Sequence, residues 1–571
     1  MPAFGVNTPV LDSFLTVIID SIRSKNGQRI TELIQLDFGS LPPERQKPYA
    51  DLNAELNRTY PPEKDGELSA RCQRDLSQDE FGLFSITFAD SIVYYFRYLR
   101  DFTTADNHAK ASKIRQLTSQ CVIALGDSRY GVIMVPIVLS FSRTLATIAS
   151  NLDRNPSLVR SSDLLTTADT EGAPGKVSFV EDAANVLRDA FIKCLAGSPG
   201  VSRTSRPTAD DKRVGIYLTA NSCLKLLIQC RKLRNAQQMF SSIDAQSPPL
   251  LYYPAAQRVT YLYYLGRYHF ANNHFLRAQA ALQAAYDQCH RDAFKHRKTI
   301  LIYLMAANLC LGRFPSSFLL SRPEASELSQ RYLPLCKILQ RGDLGAFYQY
   351  LDPERESGLW FLRRSVLLQL QNRCEIIVWR SLIRKTFFIS GYMGEEKKVP
   401  FLRLHYVQHA AAWSLNRHLT PTQAGGFMPQ VSNAKAAYID PEFRDMDSAI
   451  NETGFDLDSG EYIDEYIGQH EASDGNNIDE QTPTMTEIES VILSLIQQGL
   501  IKGFALHTNP RFAIPGSQKA GGPMKAGFPA IWKVIKGRMG DEPVPGWVEE
   551  ANLNTGGSNV VRIFGARPAG A

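Results

Sequence analysis

Two pairs of histidines are the first residues to test for chemistry. His405 and His409 stand four apart, which puts both rings on one face of a helix at the spacing of a metal pair. The residues between them are Tyr, Val and Gln, with no Glu beside the first His and no Cys or carboxylate close by. They therefore read as ordinary helical histidines. His290 precedes, and His296 falls in, a basic stretch running from Arg291 to Lys298, which reads as a solvated loop between helices. The chain contains no GxGxxG, no GxxxxGK[ST] and no GxSxG, so no phosphate cradle or acyl-transfer serine is signalled. Its nine cysteines are odd in number, form no CxxC and sit mostly among apolar residues at helical spacing. That is the pattern of buried, reduced thiols. No catalytic, metal or cofactor site is expected.

What remains is charge. Arg380, Arg384 and Lys385 lie on one helical stretch, with 380 and 384 a turn apart, and Lys397 and Lys398 follow in a loop. Lys502 and Arg511 flank a hairpin, and Lys519, Lys525, Lys533, Lys536 and Arg538 come after it. Leu500 to Gly540 holds seven Lys or Arg and no Asp or Glu. Cations of this kind neutralise phosphates and release counterions, which predicts salt-sensitive binding of RNA or DNA. Phosphate contacts position without specifying, so base-specific readout is not expected. The chain as a whole hides this, with a net charge of +5 and a pI near 8.6. Residues 436–480 carry 14 acidic side chains and only one basic, Arg444. Their net −13 leaves +18 on the remainder. A polyanion beside a cationic surface competes with phosphate, so deleting 436–480 should tighten RNA binding at low salt. Tyr438, Phe443, Phe455, Tyr462 and Tyr466 also make the insert aromatic enough to dock on a partner.

The elements that must position these charges are mostly helical. At 571 residues, 44% apolar and 21% charged, the chain has material for about four modules. This composition excludes wholesale disorder and collagen-like or coiled-coil architecture. No membrane span is expected. The longest uncharged run, Gly131 to Ser142, has 12 residues and contains Pro136, against the roughly 20 that a span needs. The first residues lack a basic n-region and a small-residue cleavage site, so no signal peptide is expected.

Helices are predicted over 11–22, 30–36, 84–99 and 122–149, followed by a polar linker over 151–177. Phe179 to Cys194 shows one stripe at three-to-four spacing. From 214 to 371 the chain reads as stacked helical hairpins. Leu265 and Gly266 are followed by Ala278, Leu282 and Ala285, the small-residue spacing of a tetratricopeptide-type pair, and Gly312 closes a second Leu-Gly. Helices at 360–370, 375–389 and 400–415 come next. A fourth starts at a capping box, Thr484 to Glu487, and has Gly499 as its C-terminal cap. Strands at 501–506 and 511–514, joined by a turn at His507 to Pro510, complete a winged-helix order. The organisation predicted is a helical region over 1–160 and a helix between polar linkers over 161–213. Helical repeats over 214–371 lead to a winged helix over 372–515 interrupted by the insert. A basic, then Gly- and Pro-rich, flexible extension over 516–571 ends it, in which 560–564 could dock.

These residues resemble the PCI-domain family, whose members are helical repeats ending in a winged helix. The resemblance rests on Tyr263 to Tyr268 (YYLGRY), Ala278, Cys289-His290, Ile302 to Leu304, Leu311-Gly312 and Arg380 to Lys385 (RSLIRK). Ile488 to Gly503 (IESVILSLIQQGLIKG) and Phe528 to Ala530 (FPA) add to it, and it spans about 179–530. Within the family the chain is similar to the PCI subunits of transcription–export complex two, favoured by the FPA element and the long extension. Signalosome subunit-twelve-like proteins are the sister group. The resemblance implies a scaffold without catalysis. It would pack beside a large GANP-like scaffold and a small, acidic, mostly disordered subunit shared with the proteasome lid. It would sit at the inner face of the nuclear pore, in the nucleus, in messenger RNA export. There it would offer a basic winged-helix surface to RNA or DNA. The sister reading implies a protein–protein scaffold in signalosome or splicing assemblies.

Overall fold

A computed structural model describes residues 8–76, 81–102, 107–154, 178–197, 205–394, 399–419 and 483–538. The expectations placed on the insert 436–480, on most of the 151–177 linker, on Lys397 and Lys398, and on the tail beyond 538 lie outside the described residues. The chain forms two compact units that part within one helix, after Tyr264.

The first unit contains α1 (Pro9–Arg23), α2 (Gly27–Leu33), α3 (Pro43–Thr59), α4 (Asp65–Leu76), α5 (Leu83–Arg100), α6 (Asn107–Leu125) and α7 (Val135–Arg154). Then come α8 (Phe179–Ala196), α9 (Ile216–Gln229), α10 (Leu233–Gln246) and the start of α11 (Ala255–Ala271). Leu11, Leu15, Ile18 and Ile22 give α1 a single buried stripe. Its N-terminus is capped from outside: buried Glu55 accepts the amides of Val10 and Leu11 at 3.2 and 3.0 Å. This satisfies donors that a helix start leaves open. Tyr95 and Tyr98 of α5 donate to the carbonyls of Gln35 and Leu36, which fixes the chain after α2.

The helix expected over 122–149 is two helices, because the turn after Leu125 and a 3-10 segment at Gly131–Met134 intervene. Residues 131–153 have the length and apolarity of a membrane span, but 56% of that window is buried inside the fold. It packs on α2, α6, α8 and α9 as a core helix. The Phe179 stripe is α8 as expected, capped by the Ser178 hydroxyl.

The second unit begins with the rest of α11, then α12 (Phe275–Gln288), α13 (Phe294–Cys310), α14 (Ser317–Leu320), α15 (Ser326–Arg341), α16 (Leu344–Tyr350), α17 (Glu356–Arg363) and α18 (Leu367–Ser390). Leu265, Ala278, Leu282 and Ala285 are fully buried where α11 meets α12. A Cβ on Gly266 would stand 2.5 Å from Leu282 Cγ, so only glycine permits this approach. Gly312 differs from its expected role. It turns the chain after α13, and Ile531 from the C-terminal end of the unit lies over it.

The helix expected over 360–370 is broken at Arg364–Val366, where Ser365 takes a positive φ of 54°. The stretch 291–298 is only partly a loop, since α13 starts at Phe294. Arg297 is buried, donating to Glu324 at 2.9 Å with its guanidinium 4.0 Å from the Tyr286 ring.

The winged helix follows the order α18, β1 (Phe401–Arg403), α19 (Leu404–Leu419), α20 (Met485–Gln497), β2 (Phe504–Leu506) and β3 (Arg511–Ala513). Two short helices close the unit, α21 (Pro523–Gly527) and α22 (Ile531–Arg538). The sheet order is β1-β3-β2, antiparallel throughout. β1 corrects the expected helix start at 400, because Phe401–Arg403 pair with Ala513–Arg511 more than a hundred residues away. The capping box at Thr484 and Glu487 is present. Gly499 turns the chain out of α20 at φ 70°.

Candidate nucleic-acid interface

Arg380 is the residue around which this module is tied. It sits on α18, 8% exposed, and its Nε donates to the Leu500 carbonyl at 2.9 Å. Its Nη2 donates to the Pro529 carbonyl at 2.5 Å. The Phe528 ring lies 5.9 Å from the guanidinium and packs on Phe387 and Phe512. Burial, then the neighbouring charge of Arg384, pushes the Arg380 pKa down to about 10, so the group stays charged near neutral pH. This corrects its assignment as a phosphate ligand. One turn on, the cover provided by Leu500 and Pro529 ends, and Arg384 and Lys385 are exposed. The RSLIRK, QQGL and FPA segments, far apart in sequence, thus meet at one buried cation.

The remaining cations face solvent. Lys502, Lys519, Lys525, Lys533, Lys536 and Arg538 are exposed and Arg511 is half-buried. The Lys502 amide donates to the Gly527 carbonyl at 2.8 Å. Arg538 donates to the Gln497 carbonyl at 2.7 Å, a cation at the C-terminus of α20. Trp532 of α22 lies between Arg313, at 4.6 Å, and Lys536, at 5.3 Å. These contacts fasten the basic extension to the second unit. By contrast α20, the helix that a winged helix lays in a DNA groove, has Glu487 and Glu489 and no Lys or Arg. Glu489 lies 2.7 Å from His507.

Sequence reasoning missed the outer face of the sheet. Phe512 and Leu402 point inward and are fully buried. On the other face Phe401, Ala513 and Phe504 form one cross-strand row, and Arg403, Arg511 and Leu506 the next. Phe504 and Leu506 are 45% and 44% exposed. The Arg511 guanidinium lies 4.7 Å from the Phe401 ring. The sequence signals were the two expected strands and Arg511, while Arg511's partner Arg403 was read as helical.

The His405 and His409 rings are 6.2 Å apart, and among the described residues no group of three His, Cys, Asp or Glu could hold a metal ion. All nine cysteines are free thiols, and all but Cys230 are buried.

No family model matches the chain. Curated relatives do. It is 26% identical over 407 residues to a PCI domain-containing protein of Schizosaccharomyces pombe, covering 71% of this chain and 84% of that one. It is 25% identical over 386 residues to PCI domain-containing protein 2 of Xenopus laevis, covering 66% and 82%. A CSN12 homologue of Neurospora crassa is 30% identical over 223 residues, 38% of this chain and 46% of that protein. With helical repeats that end in a winged helix, the chain matches the PCI family, and its homologues there are PCI domain-containing protein 2 and the CSN12 homologues.

Proposed function

We propose that the chain is a non-catalytic scaffold subunit of a nuclear complex that couples transcription to messenger RNA export. In this reading its helical repeats and winged helix bind a large GANP-like scaffold and a small acidic subunit shared with the proteasome lid. The complex would stand at the inner face of the nuclear pore. Arg384, Lys385, Lys502, Arg511, Lys519, Lys525, Lys533, Lys536 and Arg538, together with Lys397 and Lys398, supply a basic surface to RNA or DNA without sequence specificity. The observation that carries the reading is the match over 82–84% of two PCI domain-containing proteins. The solvated cations on the winged-helix unit support the nucleic-acid part. An acidic α20 favours backbone contact over groove reading.

The match to the CSN12 homologue, closer in identity but over 46% of its length, favours a second reading: a protein–protein scaffold in signalosome or splicing assemblies. Affinity purification separates the two. The first requires a GANP-like scaffold among the co-purified chains. RNA binding is then titrated against salt, for the chain alone and with those partners. Affinity that rises with partners and falls steeply with salt supports a composite basic platform. No binding in either state removes the nucleic-acid role and moves weight to the second reading.

A further inference from the structure

We propose that the outer face of the winged-helix sheet is a stacking platform for single-stranded nucleic acid. This rests on the nucleic-acid reading above and refines it. Arg403 and Arg511 are directly opposed in register on β1 and β3. Like charges in that position destabilise a strand pair, and among the described residues neither has a carboxylate partner. Arg511 Nε is buried without a hydrogen-bond acceptor. An anion placed between the two guanidiniums supplies what the sheet lacks.

Two residues along the same strands, about 7 Å away, the face changes from cationic to aromatic. Phe401 is already covered by the Arg511 guanidinium and by Tyr392, whose ring is 5.4 Å away. Phe504 on the edge strand is not: it is 45% exposed beside Leu506 at 44%. A phosphate site with an open aromatic ring one step along suits a chain whose bases are free to stack. It does not suit a duplex, whose bases are already stacked and whose outside is sugar and phosphate. The acidic α20 argues the same way, because it offers a duplex no cation in the groove.

The test uses the full chain and two fluorescent probes, a uridine-rich RNA strand of about 12 nucleotides and a duplex of equal length. Wild type should prefer the single strand. Phe504→Ala should lose about tenfold in affinity for the strand and leave the duplex unchanged. Phe504→Trp, which keeps a ring, should restore binding. Arg403→Gln should reduce the salt slope by about one. If Phe504→Ala binds the strand as tightly as wild type, the platform is refuted while the broader basic surface stands. Wild type binding neither probe overturns both readings. Loss of a co-purified protein partner from Phe504→Ala, with RNA affinity intact, would make the face a protein interface and overturn the proposal.

Discussion

Replacing Arg380 with Met keeps an unbranched side chain among Leu500, Phe528 and Pro529 but removes the guanidinium. Two hydrogen bonds from a charged donor disappear, at 2.9 and 2.5 Å. The two carbonyls they satisfied lose their donor inside the fold. A hydrogen bond involving a charged group is worth about 1.5–3 kcal/mol, and an orphaned buried acceptor costs about 1–3 kcal/mol. Met also carries none of the desolvation that pulls the Arg380 pKa down to about 10, and this relief offsets part of the loss. The net expectation is about 3 kcal/mol of destabilisation, or a Tm lower by about 6 °C for a unit of this size. Thermal and urea unfolding measure it, and RNA anisotropy well below the transition measures binding on the same samples. Affinity should be unchanged, because Arg380 faces carbonyls. The exposed pair behaves oppositely: Arg384→Gln with Lys385→Gln should leave Tm unchanged and lower the salt slope by about two. An Arg380→Met variant with Tm within about 1 °C of wild type and RNA affinity down about tenfold would refute the reasoning, since the guanidinium would then be meeting phosphate.

Three other outcomes follow from the same geometry and charge. Gly266→Ala drives a methyl to 2.5 Å from Leu282 Cγ and should cost about 1–3 kcal/mol. Adding Leu282→Ala should return part of that loss, a non-additivity readable by urea unfolding. His269 is buried with both ring nitrogens unpartnered, and burial, with Arg277 and His274, lowers its pKa to about 4. Its contribution is complete above the unfolded value near 6.5 and is lost as pH falls toward 4, up to about 3 kcal/mol. Stability measured from pH 7 to 4 should therefore fall less steeply in His269→Leu. Deleting 436–480, with its net −13, should tighten RNA binding at low salt and matter little at high salt. Equal affinities before and after deletion at low salt would remove that competition from the account.

Local signals were readable and distant ones were not. The capping box at Thr484, the turn at Gly499 and the α8 stripe depend on neighbours within one or two helical turns. The close approach at Gly266 reaches only to the next helix, where its partner Leu282 lies. β1 has three residues, too few for an alternation to register, and its pairing depends on β3. The break at Ser365 carries no Gly or Pro, and a positive φ at serine leaves no trace in composition. Arg380 misled for the same reason. A helix face gives the direction of a side chain, but whether it meets water or a carbonyl was decided 120 and 149 residues later.

That separation sets an order of assembly during synthesis. The α11–α12 pair can close once residue 288 has emerged, since both helices are adjacent in sequence. Arg380 emerges soon after, yet its two carbonyls belong to residues translated much later. The strands that give β1 its partner are also still to come. Until the ribosome passes Pro529, the nascent winged helix exposes an unpaired guanidinium and the apolar surface of Phe387. The module therefore closes only after Pro529 has emerged, while the repeats before it can already pack. A chain cut short before 529 would keep its repeats and present an open, cationic stub, the kind of surface that chaperones hold and quality control removes.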